Sequence, residues 1–266
     1  MRLDGEVVHY VDEGDGPPLL MLHGNPTWSF LYRELIRGLR DRYRCIALDY
    51  PGFGLSAASS SYGYTPAEHA RTLERFVEHL DLTETTLMVQ DWGGPIGMAV
   101  ATRHPDRFLA FVVGNTWTWP TSDLSIQVFA RILGGPIGGL LIARRNFFVE
   151  TILARSTARP LAPEVIDHYR RPFPTPASRR PMHVFPSQIL ASRPWLAEIE
   201  RDLHMLRDRP ALIVWPTKGI AFKDADRARW EQIFPDHDTV MLEGADHYIQ
   251  EDAPQEIVGA IRDWRA

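Results

Sequence analysis

Short apolar runs, each closed by turn residues, punctuate the first 115 residues. Leu19-Leu20-Met21-Leu22 is continuous and stops at His23-Gly24, as a strand buried on both faces would. Residues 44–48, 86–90 and 108–113 repeat the pattern, and residues 6–11 alternate like an edge strand. Between them, residues 30–39, 65 to about 80, and 94–103 carry apolar side chains at helical spacing. Thr65-Pro66-Ala67-Glu68 adds an N-cap, a proline at the first helical position and an acid in the first turn. Strands alternating with helices predict an α/β protein whose parallel sheet is covered on both faces.

The pattern changes after Asn115. From about Thr116 to Met205, prolines and arginines are frequent, short helical patterns follow one another and no strand stands out. Strand patterns return at residues 211–215 and 239–242. A closing helix over 254–264 places Val258, Ile261 and Trp264 on one face. The chain therefore divides into an α/β core, residues 1–115 and 206–266, and a helical cap, residues 116–205. The core is a mostly parallel, doubly wound sheet, with the cap inserted after the sixth core strand.

Composition narrows the function classes. With 266 residues, 44% hydrophobic and 24% charged, the chain can bury a sizeable core and does not read as disordered. A net charge of −5 and the lack of any Lys/Arg run speak against a nucleic-acid partner. Cys45 is the only cysteine, which excludes an intrachain disulfide and a cysteine metal cage; no metal-ligand motif appears. The first residues are too polar for a signal peptide, and the longest greasy stretch, residues 137–143, falls far short of a bilayer span. A cytoplasmic protein without membrane partners is the expectation.

Three segments can carry chemistry. Val89-Gln90-Asp91-Trp92-Gly93-Gly94 closes a predicted strand and opens a predicted helix. Such a turn lifts one side chain out of a sheet as a nucleophile; Asp91 could equally be a plain N-cap. His23-Gly24-Asn25-Pro26 follows a buried strand, where a backbone N–H can serve an oxyanion, or where the chain simply turns. Gly244-Ala245-Asp246-His247 follows the last predicted strand and places a histidine late in the chain, as the order nucleophile, acid, histidine requires. His23, beside its turn, reads as structural.

Together these segments resemble the haloalkane dehalogenases of the α/β-hydrolase superfamily. The resemblance spans nearly the whole chain: HGNPTWSFLYR (23–33), DYPGFGLS (49–56), VQDWGGPIG (89–97), GNTWTWP (114–120), PMHVFP (181–186) and GADHYIQEDAP (244–254). The third subgroup is most similar, through GNTWTWP and Ile-Ala-Phe at 220–222. The resemblance implies that Asp91 displaces halide from a small hydrophobic halogenated substrate, leaving an alkyl ester. Asn25 and Trp92 would hold the halide, and their backbone N–H groups would meet the later oxyanion. His247 would activate the hydrolytic water. Neither metal nor organic cofactor is implied. Phe53, Trp117, Trp119, Phe129, Phe147, Phe148 and Phe185 are candidate pocket walls, with plain core packing the competing reading for each. The cap arginines, among them Arg144 and Arg145, read as a solvated face or a homo-oligomer contact.

One departure stands out. The family's histidine-orienting acid lies either after strand 211–215, where this chain has Gly219, or after the preceding core strand, where it has Asn115. Asp246, Asp224 and Asp226 are the nearby carboxylates. If none reaches His247, ester hydrolysis slows while halide release survives, and Gly219→Asp is the first restoring change, unless the glycine serves a φ > 0 turn. A substrate-trapping or non-catalytic protein of the same fold is the alternative. An epoxide hydrolase is a further one, although the cap supplies a single phenol, Tyr169.

Overall fold

The computed structural model describes residues 1–219 and 221–264, so the Ile220 of the Ile-Ala-Phe segment lies outside the described residues. The chain begins with β1 (Arg2–Leu3) and β2 (Glu6–Val7), which form a small sheet of their own, with Val7 also bridged to Ala57. The large sheet follows: β3 (Tyr10–Glu13), β4 (Pro18–Leu22), then, after helix α1 (Arg33–Leu39), β5 (Arg44–Leu48). Helix α2 (Pro66–His79) leads to β6 (Thr85–Asp91), and α3 (Gly93–Arg103) leads to β7 (Phe108–Thr116). The segment expected over 30–39 opens as a 3-10 turn, Ser29–Tyr32, before α1. Thr65 caps α2 as its sequence predicts, accepting from the Glu68 N–H while Glu68 reaches back to the Thr65 N–H.

Between β7 and the next strand lie five helices: α4 (Leu124–Leu133), α5 (Pro136–Arg145), α6 (Pro163–Arg170), α7 (Arg180–Ala191) and α8 (Arg193–Asp202). A π-turn, Phe148–Leu153, sits among them, and no strand interrupts them among the described residues. The sheet then resumes with β8 (Ala211–Pro216), α9 (Asp224–Ile233) and β9 (His237–Leu242), followed by α10 (Ile249–Asp252) and α11 (Pro254–Asp263).

The large sheet has seven strands in the order β3-β5-β4-β6-β7-β8-β9, all parallel except β3 against β5. Five of its strands precede the helical segment, not six. The alternating stretch 6–11 is not one strand: Glu6–Val7 pairs in the small sheet, and the edge strand begins at Tyr10. The central strands are buried over almost their whole length, which explains their unbroken apolar runs.

This order creates the site. From β4 the chain moves to β5 on one side, then crosses back to β6 on the other. The loops leaving β4 and β6 therefore diverge at their carboxyl ends, where open α/β sheets hold their ligands.

Candidate active site

Asp91 ends β6 with φ at 50°, a left-handed conformation that residues other than glycine, asparagine and aspartate rarely adopt. The turn is tight enough that a Cβ on Gly93 would lie 2.2 Å from the Leu22 carbonyl oxygen, which accounts for that glycine. Asp91 is not an N-cap. Trp92 occupies that position of α3, and the Asp91 carboxylate crosses to the neighbouring loop, where Oδ1 accepts the Asn25 backbone N–H at 2.8 Å. The second oxygen, Oδ2, lies 3.5 Å from His247 Nε2. The Thr116 hydroxyl donates to the Asp91 carbonyl at 2.5 Å and so fastens the turn to the end of β7.

His247 is buried and held by two amides. Its Nδ1 is 2.5 Å from Asn115 Oδ1. An amide oxygen only accepts, so the network assigns the ring proton to Nδ1. That leaves the Nε2 lone pair facing Asp91, with Gln90 Nε2 3.4 Å away. Gln90 Nε2 also donates to the His247 carbonyl at 3.2 Å. Asn115, like Asp91, sits at positive φ (42°), which turns its side chain toward the site from the end of β7.

None of the other candidate acids touches the imidazole ring among the described residues. Asp246 Oδ1 accepts the backbone N–H of His247 at 2.7 Å. Asp226 accepts the Lys223 N–H at the start of α9, and Asp224 pairs with Arg227. Gly219 has φ of +112°, and a Cβ there would lie 2.8 Å from Asp246 Oδ1. The glycine thus occupies a positive-φ turn, where an aspartate would be strained and would crowd Asp246.

The aromatic candidates separate. Trp92 packs edge-on to Trp117 at 4.7 Å and against Phe185 at 5.1 Å; Phe185 in turn meets Phe53 at 5.5 Å. Trp119 instead packs over Trp230 and under the Arg229 guanidinium. Phe148 is buried; Phe129 and Phe147 are half-buried against the core. Phe222, absent from the expected walls, stacks on Trp117 at 5.1 Å and meets His247 at 5.7 Å. The Ile-Ala-Phe match did not mark Phe222 as a wall, because Trp117 lies 105 positions before it and His247 25 after it. Met182 was missed for a similar reason: its backbone oxygen, at 3.3 Å, takes the side-chain N–H of Asn25. The Tyr248 hydroxyl donates to the Asn25 carbonyl at 3.1 Å, steadying the same loop from below.

Two further histidines back the site. His23 is structural, as expected: Nδ1 is 2.9 Å from the Gly24 carbonyl and Nε2 accepts the Tyr50 N–H, while burial holds its pKa below the ordinary value. His69 lies flat against Phe185 at 5.3 Å, with Nδ1 3.1 Å from the Tyr62 hydroxyl. Burial pushes its pKa down to about 3. A histidine neutral when folded but titrating near 6.5 when unfolded contributes stability above pH 6.5 that is lost as pH falls toward 3. We expect His69→Phe to flatten the fall in unfolding free energy between about pH 6.5 and 4 by roughly 2–3 kcal/mol. Urea titrations at several pH values read this directly, and equal slopes for both proteins would contradict it.

Sheet order, strand-end turn and late histidine together define an α/β-hydrolase, and a family profile described as alpha/beta hydrolase fold matches residues 17–254. Haloalkane dehalogenase 2 of Mycobacterium bovis is 49% identical over 256 residues, 96% of this chain and 90% of that protein. A cis-3-alkyl-4-alkyloxetan-2-one decarboxylase of Xanthomonas campestris is 33% identical over 281 residues, covering 98% of this chain and 94% of that protein. The crystal structure of a haloalkane dehalogenase from Bradyrhizobium elkani superposes with a TM-score of 0.92 at 27% identity, covering 99% of this chain and 95% of that one. The chain belongs to the haloalkane dehalogenases of the α/β-hydrolase fold.

Proposed function

We propose that the protein hydrolyses haloalkanes to alcohol and halide through an alkyl ester on Asp91, with ester hydrolysis slowed by the missing acid. The observation that carries this reading is the division of labour between the two Asp91 oxygens. Oδ1 is already held by the Asn25 backbone N–H, while Oδ2 remains beside His247. Oδ2 attacks the carbon bearing the halogen, forming a C–O bond as the C–halogen bond breaks and the pair leaves with halide; no proton moves. Oδ1 becomes the ester carbonyl oxygen, already seated on the donor that will stabilise its negative charge when water adds. His247 Nε2, unprotonated, takes the proton of that water.

Residues 116–205 act as a cap in this reading. Met182 and Phe185, both on α7, lie over Asn25 and Trp92. The Asn25 side chain and the Trp92 indole are the halide donors, and Asn25 exchanges its bond to the Met182 carbonyl for one to halide. Trp119 is left out of the pocket. An epoxide hydrolase is not favoured: the hydroxyl of Tyr169 donates to Glu251, which also holds Arg33, so that phenol is committed to a buried ion pair.

Incubation with 1-bromobutane tests the reading. Bromide release with a butyl adduct on Asp91 in the intact mass supports it; neither product appearing would leave a binding protein of this fold. Halide placement has its own check. Saturable quenching of tryptophan fluorescence by iodide is expected in the wild type and should vanish in Trp92→Phe. A variant that quenches as the wild type does would move the halide site elsewhere.

A further inference from the structure

Helix α4 is apolar on two faces. Ala130 and Leu133 turn inward and are buried, whereas Leu124, Val128 and Ile132, four residues apart, are 50–74% exposed. On α5, Ile142 is buried while Ile137, Leu140 and Leu141 are 37–71% exposed. Six large apolar side chains thus face outward from two consecutive helices, more than scattered surface hydrophobics explain.

The charges beside them are all of one sign. Arg131, Arg144 and Arg145 are the only charged residues from 124 to 145, and all three are exposed. None enters an ion pair or a side-chain hydrogen bond among the described residues. The flanking acids are already spent, Asp123 on Lys223 and Glu150 on Arg170. In a chain of net charge −5 this is a local reversal.

We propose that the α4–α5 face docks on an anionic phospholipid surface. Apolar side chains with flanking arginines and no acid are what an interfacial helix presents to acyl chains and phosphate headgroups. A second copy fits less well, because a two-fold contact through this face would bring the same unpaired arginines together. The helices do not span. Each has ten residues, about 15 Å of rise against about 30 Å of hydrocarbon, and they meet at a 63° bend. The face lies on the lipid, and the proposal is independent of the reaction carried out beneath α7.

Flotation of the full chain with two kinds of vesicle tests it: phosphatidylcholine alone, and phosphatidylcholine mixed with phosphatidylglycerol. Binding is expected to the mixed vesicles only and should weaken as salt rises. Replacing both arginines, Arg144→Ser with Arg145→Ser, should lower the partition coefficient by about 25-fold, roughly five-fold for each charge. Leu140→Ser should lower it about ten-fold or more. Each change is on the surface, so melting temperature and bromide release from a water-soluble substrate should stay at wild-type values. Equal, salt-insensitive binding to both vesicles would overturn the proposal. So would absence of binding, whether the protein sediments as a monomer or as a dimer that Ile137→Ser dissociates; the latter result would assign the face to a second copy.

Discussion

Asp91→Asn should abolish halide release, with a loss of about 10⁴-fold or more in kcat, while leaving the fold intact. The amide oxygen can still accept the Asn25 backbone N–H at 2.8 Å, and the amide N–H₂ can donate to His247 Nε2 in place of the 3.5 Å contact. The strained turn also survives, because asparagine visits the left-handed region as readily as aspartate. What disappears is the negative charge on Oδ2. An amide cannot displace halide from a saturated carbon at a useful rate, so neither bromide nor an adduct should form. Unchanged melting with lost release is the expected pair of results. Wild-type release from this variant would remove Asp91 from the chemistry and return the segment to a purely structural turn.

Much of this arrangement was legible because the chemistry sits at strand ends. Leu19–Leu22 and the run ending at Gln90 read as buried strands, so His23-Gly24-Asn25 and Asp91-Trp92 had to leave the same edge of the sheet. Their adjacency follows from the β4–β6 pairing, Leu19 against Thr86 through Leu22 against Val89. Asn115 was harder to place. The apolar pattern predicts a strand ending at Val113, whereas β7 runs on to Thr116 and pairs Thr116 with Asp91 across a register shift. That extension carries the Asn115 side chain to His247, a contact between residues 132 positions apart that no local pattern encodes. Gly219 drew attention because a family position had lost its acid, but its φ and its approach to Asp246 come from the surrounding turn. The partners of Trp119 were not legible either. Two residues beyond Trp117, it packs against Trp230 and under the Arg229 guanidinium.

Burst kinetics follow from the amide at 115. In the proposed reaction, displacement of halide by Asp91 asks nothing of His247, so the first turnover should be fast. Hydrolysis of the ester requires His247 to become an imidazolium, and at that moment only the neutral Asn115 oxygen faces Nδ1. Asn115 keeps the ring in the productive tautomer but supplies no charge to stabilise the cation. Where a buried aspartate is replaced by an amide in serine proteases, kcat falls by about 10⁴, mainly through loss of the right tautomer. Here the tautomer is retained, so a smaller defect, on the order of 10²-fold, is expected in the second step. About one equivalent of bromide should appear rapidly, followed by slow turnover with the ester accumulating.

Asn115→Asp should then speed the slow phase by about 10²-fold and leave the burst rate nearly unchanged. The replacement is isosteric, tolerates φ of 42° as asparagine does, and puts a carboxylate oxygen 2.5 Å from Nδ1. Gly219→Asp is the contrasting variant: its positive φ and the nearby Asp246 carboxylate predict a loss of melting temperature with no gain in the slow phase. Rapid-quench measurement of bromide separates the two steps in each protein. If Asn115→Asp folds normally and the slow phase does not change, the amide is not what limits hydrolysis; if the wild type shows no burst at all, His247 already works at full rate with Asn115 alone.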